Sequence, residues 1–331
     1  MRARLTTIAL LLSILPTAIG CAMARNPEQQ MKMNRELLQA VDRHDLASAR
    51  RLLDKGASIE TTDNSETTLL GIAASNDDLA MVEMLLQRGA KAHVKDHSLV
   101  TPLMHAAYGG HTEIVRLLLQ QDPDPVERNE GLLEAVHSSP AVVIMEDTPT
   151  NGSANQGVPL HQLRPEQVSS AVETVKLLHD RGADIEATDQ YRGPPLVDAA
   201  AYAQTDVVIL LLERGANLHV RDKYGNTALI AASCECAVAT MNSAYDVVRL
   251  LLEKGADVNA QSKEGTTALM NAAGGFGGSA IVQILLEHGA DPRARDSKGN
   301  TALKFAKEAN REDKVLLIKR ALANTDKRSP S

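Results

Sequence analysis

The chain has 331 residues, 44% apolar and 23% charged, a globular composition that excludes intrinsic disorder. Its formal charge of −7 excludes nucleic-acid binding that relies on a basic face. Aromatic residues are only 2% and Trp is absent, so the core must be built from Ala, Leu and Val, as where thin helices stack closely in a repeat array.

The first two dozen residues read as an export signal. Arg2 and Arg4 form a positive n-region, and Ile8 to Leu15 an apolar h-region too short to span a bilayer. Two cleavage readings stay open. Ala18-Ile19-Gly20-Cys21 resembles a bacterial lipobox, in which Cys21 becomes the lipidated first residue. Ala22-Met23-Ala24 fits an ordinary small-x-small site. The signal is therefore placed at 1–24 and a linker at 25–33. Export leads to an oxidising compartment, where Cys234 and Cys236 make a poor disulfide framework.

Beyond the linker the chain is periodic. Gly56, Gly89, Gly182, Gly215, Gly255 and Gly289 are each followed by Ala, and Asp122 fills the missing place. The steps are 33, 33, 60, 33, 40 and 34 residues. Each unit repeats the same phrase: TPLMHAAYGGHTEIVRLLLQQ from Thr101, TLLGIAA from Thr68, PPLVDAA from Pro194, TALIAAS from Thr227, TALMNAA from Thr267 and TALKFAK from Thr301. The head Thr suits a helix N-cap, and Pro102 the first helical turn. Paired Ala let helices approach closely, the Leu-Leu pairs fill the layer against the next repeat, and Gly closes the second helix. Asp-x-x-Gly, as at Asp222 to Gly225, is a turn.

The phrase and its period resemble the ankyrin family over roughly residues 34–322. The resemblance implies an all-α ankyrin-repeat solenoid of about eight helix-pair repeats with short β-hairpin fingers. The first unit, Asn34 to Thr62, reads as an N-terminal cap. The last carries Lys304, Lys307, Lys314 and Lys319 where inner repeats have apolar residues, the polar outer face of a C-terminal cap. Residues 323–331 read as a disordered tail. The family's His in Thr-Pro-Leu-His is absent, replaced by Met104, Gly71, Val197, Ile230, Met270 and Lys304. This predicts loss of a hydrogen bond between turn and helix, and a less rigid array.

Repeat three breaks the pattern. Ala135 and Gly182 lie 47 residues apart, against 16 in intact repeats, so about 31 residues are inserted. The loop is placed at 138–170, rich in Pro and Gly; loop length costs little stability, so a tolerated insertion weighs beside a lid or an extra partner contact. The finger before it is also shortened. Smaller breaks fall at Cys234 to Thr240 and at Gly274 to Gly278.

No HExxH, GxSxG, Walker A or EF-hand pattern is present, so no catalysis and no cofactor is expected. The ten His are scattered and read as structural. Cys234-Glu235-Cys236 offers two thiols for a soft metal or a strained disulfide, but a zinc site needs two more ligands, so no metal is assigned. The placement of Tyr is more telling. Counted from the Asp of each turn, Tyr191 and Tyr224 fall third, on the finger, and Tyr108 and Tyr202 fall thirteenth and fourteenth, after the Ala pair. The resemblance places these positions on the groove that contacts partners. Arg192, Lys223 and Lys263 share the fingers and lend that strip positive charge, and Phe276 lies at the matching turn of repeat six. The expected function is a non-enzymatic, monomeric protein-binding scaffold in a bacterial envelope, touching membrane only through lipidated Cys21. The alternatives are a secreted effector acting on a host protein, and a metal- or redox-responsive protein using Cys234 and Cys236.

Overall fold

A computed structural model of the chain describes residues 26–137, 165–234, 241–275 and 279–328. It divides into two compact units, the first ending at Ser58 and the second beginning at Ile59. The predicted signal with Cys21, the insertion up to residue 164, Cys236 and Phe276 lie outside the described residues.

The first unit is one helix pair, α1 (Pro27–Asp42) and α2 (Leu46–Asp54). Asn26 caps α1 by accepting from the Glu28 N–H, and Pro27 occupies the first helical position. The helix therefore starts inside the stretch read as a linker, because a cap and a pre-set φ stand side by side there. Leu37 and Val41 are fully buried.

The second unit holds seven pairs among the described residues. They are α3 (Leu69–Ser75) with α4 (Leu79–Gln87), α5 (Pro102–Gly109) with α6 (Thr112–Leu118), α7 (Pro125–His137) with α8 (Pro165–Asp180), and α9 (Pro195–Ala201) with α10 (Thr205–Glu213). Then follow α11 (Ala228–Ala232) with α12 (Met241–Glu253), α13 (Ala268–Gly274) with α14 (Ala280–Glu287), and α15 (Ala302–Glu308) with α16 (Glu312–Arg328). Each odd-numbered helix packs on the next odd one and each even-numbered helix on the next even one, so the unit is an all-α solenoid two layers thick.

Local chemistry dictates these elements. Thr68, Thr101, Thr227 and Thr267 each accept the backbone N–H three residues on, capping the first helix of their repeat. The Gly-Ala pair ends the second helix. Gly89 takes φ +86°, and the Ala90 N–H then reaches back to the Leu85 carbonyl. The same long reach runs from Ala183 to Leu178, Ala216 to Leu211, Ala256 to Leu251 and Ala290 to Leu285. This is a Schellman closure, which satisfies carbonyls the helix end would otherwise orphan. The paired Ala at 73–74, 106–107, 199–200 and 272–273 are fully buried, which lets adjacent first helices meet.

Three features depart from the sequence reading. Among the described residues no strand forms in the fingers; one isolated bridge joins Thr62 and Thr68, and the remaining fingers are turns held by side chains. Repeat three has no finger, because Pro125 starts α7 early and Asp124 caps it through the Glu127 N–H, at 2.8 Å. Two ends also shift: α8 begins at Pro165, inside the stretch read as the inserted loop, and α16 continues to Arg328, past Leu322. Ala321 and Ala323 are good helix formers, and no Gly or Pro intervenes before Pro330.

Lys314 is a further departure. Read as part of a polar outer face, it is 0% exposed. Its ammonium donates to the Ala272 carbonyl at 2.7 Å and to the Gly275 carbonyl at 3.1 Å, at the C-terminal end of α13. The last repeat is thus pinned to its neighbour by a buried cation that satisfies helix-end acceptors. Lys314→Met keeps the apolar stem and removes the donors, and is expected to lower stability by about 1–3 kcal/mol. Urea unfolding checks this, since an unchanged midpoint at constant slope would show that the carbonyls need no donor.

Candidate partner-binding site

The fingers are Asx turns. The Asp96 Oδ1 accepts from the Ser98 and Val100 N–H groups, at 2.8 and 3.0 Å. Asp222 does the same for Tyr224 and Asn226, both at 2.8 Å. Asp63 and Asp296 repeat the arrangement. Three pairs of neighbouring fingers are joined by one main-chain bond each: His97 N–H to Ser65 O, Lys263 N–H to Tyr224 O, and Ser297 N–H to Glu264 O, at 2.8–3.0 Å.

The missing family His is compensated locally. His105, one position later, places Nε2 at 3.1 Å from Asp96 Oδ2 and ties the turn to α5. Burial opposes the charge on Asp96, but the Val100 N–H, His105 and the Ser98 N–H outweigh it and hold the carboxyl below its usual range. The Met104 sulfur accepts the Thr101 N–H at 3.4 Å, completing a capping box.

The finger tips are apolar. Tyr191 is 76% exposed, Tyr224 62% and Leu99 63%. Leu99 also holds φ +65°, a left-handed conformation that costs a branched side chain energy and suits glycine, as Gly225, Gly265 and Gly299 show at the equivalent places. Lys223 extends its ammonium to the Gln190 and Tyr191 carbonyls, at 2.9 and 3.2 Å, and sits 5.5 Å from the Tyr224 ring centre. Fingers four and five are therefore linked by a side chain where other junctions use the main chain. Tyr224, Lys263 and Asn271 line an open cleft of 490 Å³ with Asn226, Ser262, Glu264 and Thr266. Lys263 is exposed there.

At the floor, Tyr108 is exposed near the end of α5 and Tyr202 half-buried at the end of α9. The Tyr202 ring meets His137 edge-on, with centres 5.2 Å apart. His137 Nδ1 lies 3.2 Å from the Leu133 carbonyl, and Gln204 Nε2 donates to Val136 O at 2.8 Å. Arg192 does not lend the strip its charge: Nη2 pairs with Glu134 and Nε with Asp189, because α7 presents a carboxylate where a third finger is missing. Positive charge on the strip is thus left to Lys223 and Lys263.

Asp198 is the outlier of this floor. Its side chain is 17% exposed, and its Oδ2 is sealed from solvent with no hydrogen-bond donor, 4.0 Å from His137 Nδ1. Burial raises its pKa; His137 and Arg192 oppose the shift, and Asp222 and Asp189 add to it. The Tyr202 hydroxyl is likewise pushed up, by burial first and then by Asp198.

The sequence reading placed Tyr108, Tyr191, Arg192, Tyr202, Lys223, Tyr224 and Lys263 on this side, and overlooked Leu99, His137 and Asp198. The signal for Asp198 was its place in PPLVDAA, where repeats one and five carry Ile72 and Ala231. The Cys234 sulfur is engaged in a disulfide, not free as a thiolate. Among the described residues, no group of three or more His, Cys, Asp or Glu is placed to hold a metal ion.

Because folding raises the Asp198 pKa above its ordinary 3.8, the folded state binds that proton more tightly than the unfolded chain. Stability from this residue is greatest below that value and falls as pH rises through the folded pKa. Asp198→Asn removes the buried charge and is expected to raise the melting temperature at neutral pH, with the gain shrinking towards acid pH. Thermal unfolding followed by circular dichroism across that range is the check, and a variant less stable than wild type at pH 7 contradicts it.

A family model described as "Ankyrin repeats (3 copies)" matches residues 37–129, 167–262 and 236–328. No curated protein matches the chain. The matched segments cover most of the sequence, including the fingers and the groove floor, and the protein belongs to the ankyrin-repeat family.

Proposed function

We propose that the protein is a non-enzymatic, monomeric scaffold that holds a protein partner in the groove between its fingers and first-helix layer. Ankyrin repeats are in general protein–protein interaction modules, and that much comes with the family. The observation that carries the proposal further is the pair of exposed rings at the tips of fingers four and five, beside the open cleft of Tyr224, Lys263 and Asn271. Tyr at such a place offers a large rigid surface with a polar tip, the usual make-up of an interface hot spot. Tyr108 and Tyr202 extend the same strip to the floor. The partner docks across repeats four to six.

The scaffold acts in the bacterial envelope, tethered by a lipid on Cys21. The lipobox-like Ala18 to Cys21 behind a positive n-region supports this. A disulfide at Cys234 is chemistry that persists in an oxidising compartment.

Tyr224→Ala and Tyr202→Ala are each expected to weaken partner binding by about 1–2 kcal/mol. The Tyr224 variant should keep its melting temperature, since that ring is exposed; the Tyr202 variant should lose some, since its ring packs on His137. Binding unaffected by both changes, but lost on altering the even-numbered helices, places the site elsewhere. For the tether, labelled fatty acid should enter the wild type and not Cys21→Ser. Equal labelling and equal membrane association of the two refute the anchor, and release of both into the medium favours the secreted-effector alternative.

A further inference from the structure

A largely buried carboxylate with an unpaired oxygen on a groove floor is a place where a partner can supply the counterpart. Asp198 fits that description on geometric grounds. It lies on α9 at the groove floor with 17% of its side-chain surface open to solvent, its Oδ2 has no hydrogen-bond donor, and among the described residues its one ion-pair neighbour, His137, stands at the 4.0 Å limit. Arg192, whose charge favours ionised Asp198, pairs with Glu134 and Asp189. Asp189 and Asp222 add negative charge around the carboxylate. The phenol ring of Tyr202 stands in the same cluster, and Tyr108 is close enough to raise its hydroxyl pKa.

We infer that this part of the groove floor is a receptor for an arginine side chain of the protein partner, its guanidinium paired with the Asp198 carboxylate beside the Tyr202 and Tyr108 rings. The inference rests on the groove reading above and specifies what the groove recognises. The chemistry is complementary on three counts. A guanidinium offers a planar set of N–H donors that a carboxylate accepts. Its flat face stacks on phenol rings more readily than an ammonium does. A bound cation also offsets the repulsion that Asp189 and Asp222 exert on Asp198. A lysine supplies the charge without the plane and should bind more weakly.

The test uses the full chain and two probes, N-acetyl-arginine amide and its neutral isostere N-acetyl-citrulline amide. Saturable shifts of the Asp198 and Tyr202 resonances are expected with the arginine probe alone. In Asp198→Asn, folded as its melting curve shows, binding should weaken by about tenfold or more. No arginine-dependent shift at these residues, equal response to citrulline, or binding that survives in Asp198→Asn overturns the inference. A second arm separates it from the groove reading, using displayed linear peptides selected on the wild-type protein. Peptides that lose binding to Tyr224→Ala but not to Asp198→Asn leave the groove standing and sink the arginine receptor. Peptides that carry a fixed arginine and lose binding only to Asp198→Asn support the receptor and refute docking across the finger tips.

Discussion

Everything in this molecule follows from the inability of one short helix pair to bury its own apolar face. Helices of five to nine residues make up most of the stack and are too short to stand alone in water. Stability comes from the next repeat, through the Ala pairs of the first helices and the Leu-rich seam of the second. The constraint explains why the recurring Gly-Ala closure matters. Each second helix must stop within a residue of its neighbour or the two layers fall out of step. The Gly turn and the long Ala-to-Leu bond set that stop. It also explains why breaks collect in the turns between first and second helix, where a longer connection leaves the stack intact.

The repeat was legible because its signals are local and multiplied. A cap, an Ala pair and a Gly closure each act within a few residues, and recurrence in unit after unit removed ambiguity. What sequence reading lost was set by contacts between repeats. The role of Arg192 depends on Glu134, 58 residues away on a helix that replaces a finger. Lys314 read as a solvent-facing lysine because nothing near it in sequence reveals that the end of α13 needs donors. His105 was missed as a turn-to-helix tie because the family places that residue one step earlier, while the geometry requires only that an imidazole reach Asp96. The Tyr positions were placed on the groove side by register alone, whereas the buried carboxylate among them emerged only from three-dimensional neighbours.

Lys314 and Asp198 make an instructive contrast. Both are ionisable groups largely removed from water. The lysine finds carbonyl acceptors at a helix end and contributes to the join between two repeats. The aspartate leaves its Oδ2 without a donor, and burial raises its pKa. Burial alone does not tell whether an ionisable residue is structural; the completeness of its hydrogen bonding does.

The row of fingers has an unequal inheritance. Three of its junctions are closed by main-chain N–H groups, which any residue except proline supplies, so they survive almost any substitution. The junction between fingers four and five is closed by the Lys223 ammonium, and so exists only as long as that codon does. Mutational robustness is therefore high along most of the row and concentrated in one side chain at the place where the two exposed tyrosines stand. Sequence drift at position 223 would alter the spacing of those rings while leaving the helical stack untouched, so the finger tips can change independently of the fold.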